Sequence, residues 1–105
     1  MRATVEWTAP AFAQLEALPA AIAFEIVSRV DLLESFPEMG VSLRSRHRTL
    51  RNCRKLIVAK SYRVVYEFEG HEGAVHILAA QHCRQPLPTT RELRRMLERR
   101  EEPSD

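Results

Sequence analysis

Residues 60–70 read KSYRVVYEFEG, a stretch in which the side chains alternate in character. Every second residue is apolar or aromatic: Tyr62, Val64, Tyr66 and Phe68. Alternation over this length predicts a strand with one buried face, because successive side chains on a strand point to opposite sides of the sheet. The aromatic set is therefore expected to face the core, with Arg63 held on the opposite face.

The elements around this strand form a regular succession. The sequence predicts further strands over 3–7, 50–59 and 74–81, a helix capped by Thr8, a second helix from Pro19 to about Phe36, and a last helix over about 90–101. A chain of 105 residues is long enough for one core. We therefore expect a single α+β domain over 1–105, with its core at about 3–85. Its small antiparallel sheet has the order β-α-α-β-β-β-α, and the N-terminal helical hairpin packs on one face.

The composition limits the class of protein. Hydrophobic residues make up 45% of the chain and charged residues 29%, as in ordinary soluble domains. No apolar run approaches the roughly 20 residues that cross a bilayer, and no leader pattern is visible. The two cysteines form no CxxC pair, and the histidines and cysteines show no zinc-site spacing. A cytoplasmic protein without metal or cofactor is the expectation.

Charge is distributed unevenly along the chain. Residues 1–40 carry a net charge of −4, whereas residues 41–63 carry eight basic side chains and no acidic one. Such a block predicts a positive surface that attracts phosphates or an acidic partner. The candidate target-binding or RNA-binding residues in this block are Arg44, Arg46, Arg48, Arg51 and Lys60.

The second face of the sheet collects basic and apolar side chains. A two-residue turn near residue 60 would place Arg54 on the same face as Arg63, and the turn at 70–73 would add His82 and Arg84. Between these polar groups lies an apolar floor formed by Leu56, Val58, Val65, Leu78 and Ala80. An apolar floor is a poor solvent face, so the last helix or a partner is expected to cover it.

The order of these segments carries a family resemblance. The pattern VEW…LEALP…LLESFPEMG…RKLIV…YRVVYEFE…VHILAAQHCR, over about residues 3–85, resembles the RelE/ParE superfamily of toxins from type II toxin–antitoxin modules. The resemblance implies a RelE-like fold and a small toxin that is neutralised by a cognate antitoxin. RelE-like members cut messenger RNA in the ribosomal A site, whereas ParE-like members poison DNA gyrase.

The resemblance also implies roles for single residues. Arg63 matches the arginine that follows the tyrosine of the RelE hairpin, and Arg84 matches the second RelE arginine that binds the scissile phosphate. The two RelE lysines on the preceding strand correspond to Arg54 and Leu56 in one register, or to Lys55 and Ile57 in another. We favour Arg54, because the predicted parity puts it on the face of Arg63. The RelE tyrosine near the C-terminus has no counterpart after Arg84.

The chemistry of RNA cleavage suggests how these groups would work. Cleavage without a metal needs a base, a cationic clamp on the phosphate and an acid for the leaving oxygen. The clamp would be formed by Arg63, Arg84 and Arg54, and His82 is the group on that face suited to proton transfer near neutral pH.

The resemblance therefore implies, as the expected function, a ribosome-dependent mRNA endoribonuclease that inhibits translation. Two alternatives stay open: a ParE-like gyrase inhibitor that is not an enzyme, and a degenerate member that binds only its antitoxin. An acidic antitoxin segment with apolar anchors is expected to cover four residues of the apolar floor, which are Leu56, Val58, Val65 and Leu78. It is also expected to cover Arg54, Arg63 and the basic loop 44–51.

Overall fold

Five strands and three α-helices make up the part of the chain that the computed structural model describes, residues 2–43 and 50–101, with side chains through Glu98. In chain order the elements are β1 (Thr4–Trp7), α1 (Ala9–Glu16), α2 (Ala20–Asp31), a 3-10 helix (Leu32–Glu34), β2 (Val41–Ser42), β3 (Cys53–Val58), β4 (Tyr62–Glu69), β5 (Ala74–His82) and α3 (Thr90–Glu101). The predicted α+β class is confirmed, with β2 as an additional short strand. None of the described helices is long and apolar enough to span a membrane.

The strands form a single sheet in the order β1-β5-β4-β3-β2. The pairs β3–β4 and β4–β5 are antiparallel, as predicted, and the additional strand β2 pairs antiparallel with β3, but β1 runs parallel to β5. A parallel pair needs a long connection between its strands, and here residues 8–73 lie between β1 and β5. The sequence alone predicts the strands but not the parallel pairing of β1 with β5.

The helical hairpin of α1 and α2 packs on one side of the sheet, which we call the hairpin face. Thr8 caps α1 by accepting a hydrogen bond from the backbone N–H of Ala11 over 3.4 Å, and its hydroxyl donates to the carbonyl of Ile77 in β5 over 2.7 Å. The core on this face comprises Ala3, Ala11, Leu15, Ile26, Val30, Leu33, Leu56, Val58, Val64, Tyr66, Val75 and Ile77.

The turn between β3 and β4 is one residue longer than predicted. Val58 pairs with Tyr62, so three residues form the turn, and Ala59 and Lys60 adopt positive φ values of 51° and 65°. A register shift of one residue moves every side chain of a strand to the opposite face. The predicted parity of β3 is therefore wrong: Arg54, Leu56 and Val58 lie on the hairpin face, and Lys55 and Ile57 lie on the face of Arg63.

A β-bulge changes the parity along β5. Val65 pairs with Ala79 but the next residue, Tyr66, pairs with Ile77, so Leu78 is the extra residue on β5. Beyond the bulge, Gln81 lies opposite Arg63 and His82 lies opposite Tyr62. The prediction that His82 shares a face with Arg63 is wrong, because it assumed an uninterrupted ladder.

Helix α3 covers the other side of the sheet, which we call the α3 face. Its residues Leu93 and Leu97 are buried and pack in a second core that also contains Leu50, Cys53, Val65, Leu78 and Ala79. The amphipathic pattern of α3 explains this position, since Leu93 and Leu97 are one turn apart on the same side of the helix. Both cores together bury all four residues of the predicted antitoxin floor.

A buried phenol joins the sheet to the segment after the 3-10 helix. The hydroxyl of Tyr66 donates to the carbonyl of Pro37 over 2.7 Å and accepts from the backbone N–H of Gly40 over 2.9 Å. Burial raises the pKa of Tyr66, so the phenol stays protonated and remains a donor at neutral pH. The residue at position 40 must be small, because a Cβ atom there would lie 2.8 Å from the Tyr66 hydroxyl and from the Lys55 carbonyl.

We predict that Gly40→Ala lowers the free energy of unfolding by about 1–3 kcal/mol, the usual cost of forcing a methyl group into a packed site. Gly70→Ala is the matched control, because a Cβ atom at Gly70 meets only the Phe68 ring at ordinary contact distance, 3.9 Å. This control is expected to change stability by less than about 0.5 kcal/mol. Urea unfolding of both variants measures the difference, and equal stabilities would contradict the prediction.

Candidate functional site

The guanidinium of Arg63 is turned back onto its own chain at the end of the α3 face. Its Nε donates a hydrogen bond over 2.9 Å to Oε1 of Gln81, the residue directly opposite on β5. Its Nη1 donates to the carbonyl oxygen of Cys83 over 3.5 Å, and its Nη2 donates to the carbonyl oxygen of Gln85. Arg63 is therefore neither a solvated surface charge nor a free cation but a link between β4 and the segment after β5.

That segment, residues 82–85, forms a tight turn that exposes Arg84. The side chain of Gln85 accepts from the His82 backbone N–H over 3.2 Å, and the Gln85 N–H donates to the His82 carbonyl over 3.0 Å. The Cys83 N–H donates to the carbonyl of Ser61, in the β3–β4 turn, over 2.7 Å. The two turns are thus joined, and Arg84 is an exposed cation at this end of the sheet.

The structure places His82 away from the predicted phosphate clamp. Its ring contacts the Tyr62 ring edge-on on the hairpin face, with centroids 4.8 Å apart and planes at 72°. Its Nδ1 accepts a hydrogen bond from the Arg84 backbone N–H over 3.0 Å, so a neutral His82 carries its proton on Nε2. A role for His82 in proton transfer beside Arg63 has no support from this geometry.

Arg54 also lies away from Arg63. It projects from β3 on the hairpin face, where its Nη1 donates to the carbonyls of Gly40 over 2.8 Å and Glu38 over 3.2 Å. Its Nη2 lies 3.5 Å from a carboxylate oxygen of Glu38. Arg54 therefore holds the segment that leads into β2, and the predicted placement beside Arg63 is wrong because of the longer β3–β4 turn.

Lys55 occupies the position that the sequence prediction gave to Arg54. It pairs with Val65 on β4, two residues along from Arg63 on the same face, and its side chain is half-buried. On β3, the residues that share the face of Arg63 are therefore Lys55 and Ile57, and not Arg54 and Leu56. Ile57 lies directly opposite Arg63 and is 47% exposed.

Of the remaining basic candidates, two lie among the described residues and three do not. Lys60, at the tip of the β3–β4 turn, and Arg51, before β3, are both exposed. The other three, Arg44, Arg46 and Arg48, lie outside the described residues. The described cations that meet at the end of the sheet where the two turns join, which we call the cationic end, are Lys60, Arg63 and Arg84.

A second polar group lies at the opposite end of the α3 face, where sequence reasoning predicted no site. Nε2 of His76 is 2.8 Å from a carboxylate oxygen of Glu6, and its Nδ1 is 4.0 Å from one of Glu67. A groove of about 500 Å³ between the start of α1 and α3 opens beside this group. The alternation of β5 predicts that His76 meets Glu67, but Glu6 joins only through the parallel β1–β5 pair.

One group of side chains in the described ranges, 2–43 and 50–98, has the spacing of a metal site. Ligand atoms of Glu69, His71 and Glu72, in the β4–β5 turn, lie within 4.8 Å of one another. The side chains are exposed or half-buried, and exposed carboxylates often cluster without an ion. This turn supplies no buried polar group that would favour a metal.

The five predicted catalytic residues are thus divided between the two faces and the turn. Lys55 and Arg63 lie on the α3 face, Arg54 and His82 lie on the hairpin face, and Arg84 lies in the exposed turn. The cationic end can attract a phosphate or an acidic protein surface. His82 belongs to the same turn as Arg84, but its ring lies on the hairpin face, opposite the face of Arg63.

Comparison with known protein families is decisive for the class of this chain. Residues 5–87 match the family model for ParE toxins of type II toxin–antitoxin systems (parDE). The chain belongs to this toxin family. The comparison with curated protein sequences gives no significant match.

Solved structures place the toxin fold in the same superfamily. A chain of the RelBE2 toxin–antitoxin complex from Mycobacterium tuberculosis is 26% identical, with a TM-score of 0.68, over 78% of this toxin and 99% of that chain. The isolated E. coli RelE toxin is 18% identical, with a TM-score of 0.63, over 90% and 98% of the two chains. A chain of the chromosomal ParDE system from P. aeruginosa is 18% identical, with a TM-score of 0.58, over 77% and 96%. The predicted RelE-like fold and the RelE/ParE superfamily are confirmed.

Because Arg54 binds the chain on the hairpin face, we predict that Arg54→Ala weakens the fold of the toxin and not its action. The free energy of unfolding is expected to fall by about 1 kcal/mol, since the lost hydrogen bonds are partly exposed. Growth inhibition per amount of folded toxin should stay unchanged. Glu38→Gln, which removes only an exposed ion pair, is the control and should change stability by less than about 0.5 kcal/mol. A loss of toxicity at unchanged stability would place Arg54 in the functional site.

Proposed function

The chain is a toxin of the type II toxin–antitoxin class, and we propose that it acts by binding DNA gyrase in the manner of ParE-like toxins, and therefore in the cytoplasm. The observation that carries this proposal is the separation of the two faces. Arg54 and His82 lie on the hairpin face, while Lys55 and Arg63 lie on the α3 face. Cleavage of RNA without a metal needs a clamp and proton-transfer groups around a single phosphate. Groups on opposite faces of a sheet cannot surround one phosphate, so this separation favours a target that is bound and not cut.

The chemistry of the cationic end supports a protein target. Ile57 exposes 47% of its surface directly opposite Arg63, so an exposed apolar side chain lies beside a cation of the cationic end. Arginine and apolar side chains that lie together are typical of the centres of protein interfaces. A groove for RNA is instead expected to offer a run of cations with aromatic platforms, and Tyr62 and Tyr66 of this toxin lie on the hairpin face.

A ribosome-dependent mRNA endoribonuclease is the second candidate. It is favoured by the shared face of Lys55 and Arg63 and by the 26% identity to a chain of the RelBE2 complex. In that function the described residues would supply the cations, and a base or an acid would come from RNA or from the ribosome. Arg63 would also have to exchange its hydrogen bonds with Gln81, Cys83 and Gln85 for a phosphate.

We further propose a cognate antitoxin as the partner, since the matching RelBE2 and ParDE structures are toxin–antitoxin systems. The structure changes the expected contacts. Leu56 and Val58 are 5% and 2% exposed within the hairpin core, so they are unavailable to a partner. Val65 and Leu78 are covered by α3, and an antitoxin segment would reach them only by taking the place of that helix.

The two targets can be separated with purified components. We expect the purified toxin to inhibit supercoiling by DNA gyrase and to leave messenger RNA intact on translating ribosomes. Induced cells should form filaments and show DNA damage signalling while messages stay whole. Arg84→Ala should weaken gyrase inhibition by about tenfold or more, the scale for losing a charged contact at an interface.

The control for this experiment is Arg29→Ala, which removes an exposed arginine from α2, far along the chain from the cationic end. It should inhibit gyrase like the parent toxin. Messenger RNA that is cut within minutes of induction, with gyrase fully active, would replace the gyrase proposal with the endoribonuclease. If gyrase stays active and messenger RNA stays intact, the toxin is a member that binds only its antitoxin.

Hydrogen exchange can test where the antitoxin binds. In the free toxin, the backbone amides of α3 are expected to be protected by the packing of Leu93 and Leu97 on the sheet. If the antitoxin takes the place of α3, these amides should exchange faster in the complex while those of β4 and β5 become more protected. Unchanged protection of α3 in a stable complex would exclude Val65 and Leu78 from the antitoxin interface.

A further inference from the structure

The hydrogen bonds of Arg63 determine what its guanidinium can still bind. Arginine recognises a phosphate or a carboxylate through two parallel N–H groups, and one such pair is formed by Nε and Nη2. Here Nε donates to the side chain of Gln81 and Nη2 donates to the carbonyl of Gln85. This side of the fork is occupied by the chain itself, and Nη1 donates to the carbonyl of Cys83.

The acceptors of these bonds surround Arg84. The carbonyls of Cys83 and Gln85 belong to the residues immediately before and after it, so Arg63 holds the chain on both sides of Arg84. Gln81, which is 5% exposed, fixes the orientation of the guanidinium from the sheet. Arg84 is exposed, and none of the described residues accepts a hydrogen bond from its guanidinium.

From this geometry we propose a division of labour: Arg63 is a positioning residue that fixes the turn 82–85, and Arg84 is the residue that contacts an acidic group of the protein target. The proposal deepens the toxin function proposed above and concerns the same site. An arginine suits the positioning role because its planar guanidinium reaches three acceptors at once, whereas lysine offers one nitrogen on a flexible stem. Gln81 suits the role of a neutral acceptor because it orients Nε without adding a charge to a buried position.

The thiol of Cys83 reports directly on this turn and needs no target. Cys83 is half-buried and lies between His82 and Arg84, whereas Cys53 is fully buried, so a maleimide located by mass spectrometry distinguishes the two sites. We expect Arg63→Ala and Arg63→Lys to speed the labelling of Cys83 by about tenfold or more, because the lost charged hydrogen bonds free the turn.

Two variants serve as controls for labelling. Arg84→Ala removes a charge from the turn itself but none of its hydrogen bonds, and Arg29→Ala removes an exposed charge of α2, outside the turn. Both should label Cys83 within about twofold of the parent toxin. Equal labelling of Arg63→Ala, Arg63→Lys and the parent would overturn the positioning role.

A double-mutant cycle then tests the contacting role of Arg84, with growth inhibition as the readout so that either target serves. Arg84→Ala and Arg63→Ala should each reduce inhibition by about tenfold or more. In the Arg84→Ala background, Arg63→Ala should cause no further loss, because a positioning residue has then nothing left to position. A further loss in that background would show that Arg63 touches the target and would overturn the proposal. Arg63→Lys, which keeps the charge and the fold, provides the same comparison if Arg63→Ala does not accumulate.

Discussion

The antiparallel pairing of β3, β4 and β5 fixes which side chains share a face of the sheet, and the other features of the toxin depend on it. Two local irregularities set this pairing. The three-residue turn with Ala59 and Lys60 at positive φ sets the parity of β3, and the bulge at Leu78 changes the parity of β5. Because side chains alternate with a period of two residues, each irregularity moves whole sets of residues between the two cores.

The three arginines of the predicted clamp illustrate how strongly the partner atoms determine the role of a charge. Arg54 binds two carbonyls near β2, Arg63 binds the turn after β5, and Arg84 is exposed in that turn. Their side chains are chemically identical, and all three lie near strand ends. The first two are tied to the backbone of the toxin itself, so the third is the one best placed to meet another molecule.

Helix α3 gives the small domain a second core on the sheet face opposite the helical hairpin. Leu93 and Leu97 cover Val65, Leu78 and Ala79, which would otherwise form an exposed apolar surface. The alternating apolar residues of the strands and the spacing of Leu93 and Leu97 predict this packing from the sequence. The described contact between α3 and the sheet is made mainly by a few apolar side chains.

The sequence by itself determined the class of fold, the order of the predicted elements and the membership of the RelE/ParE superfamily. Periodicity and the apolar or aromatic residues of β4 carry this information locally, because burial requires an alternating pattern. Only the tertiary structure fixed the faces of Arg54, Lys55 and His82, the parallel β1–β5 pair and the meeting of Glu6 with His76. These depend on one-residue differences in turns and bulges and on contacts between distant segments. The alternation of residues along the sequence does not reveal these turns, bulges and contacts.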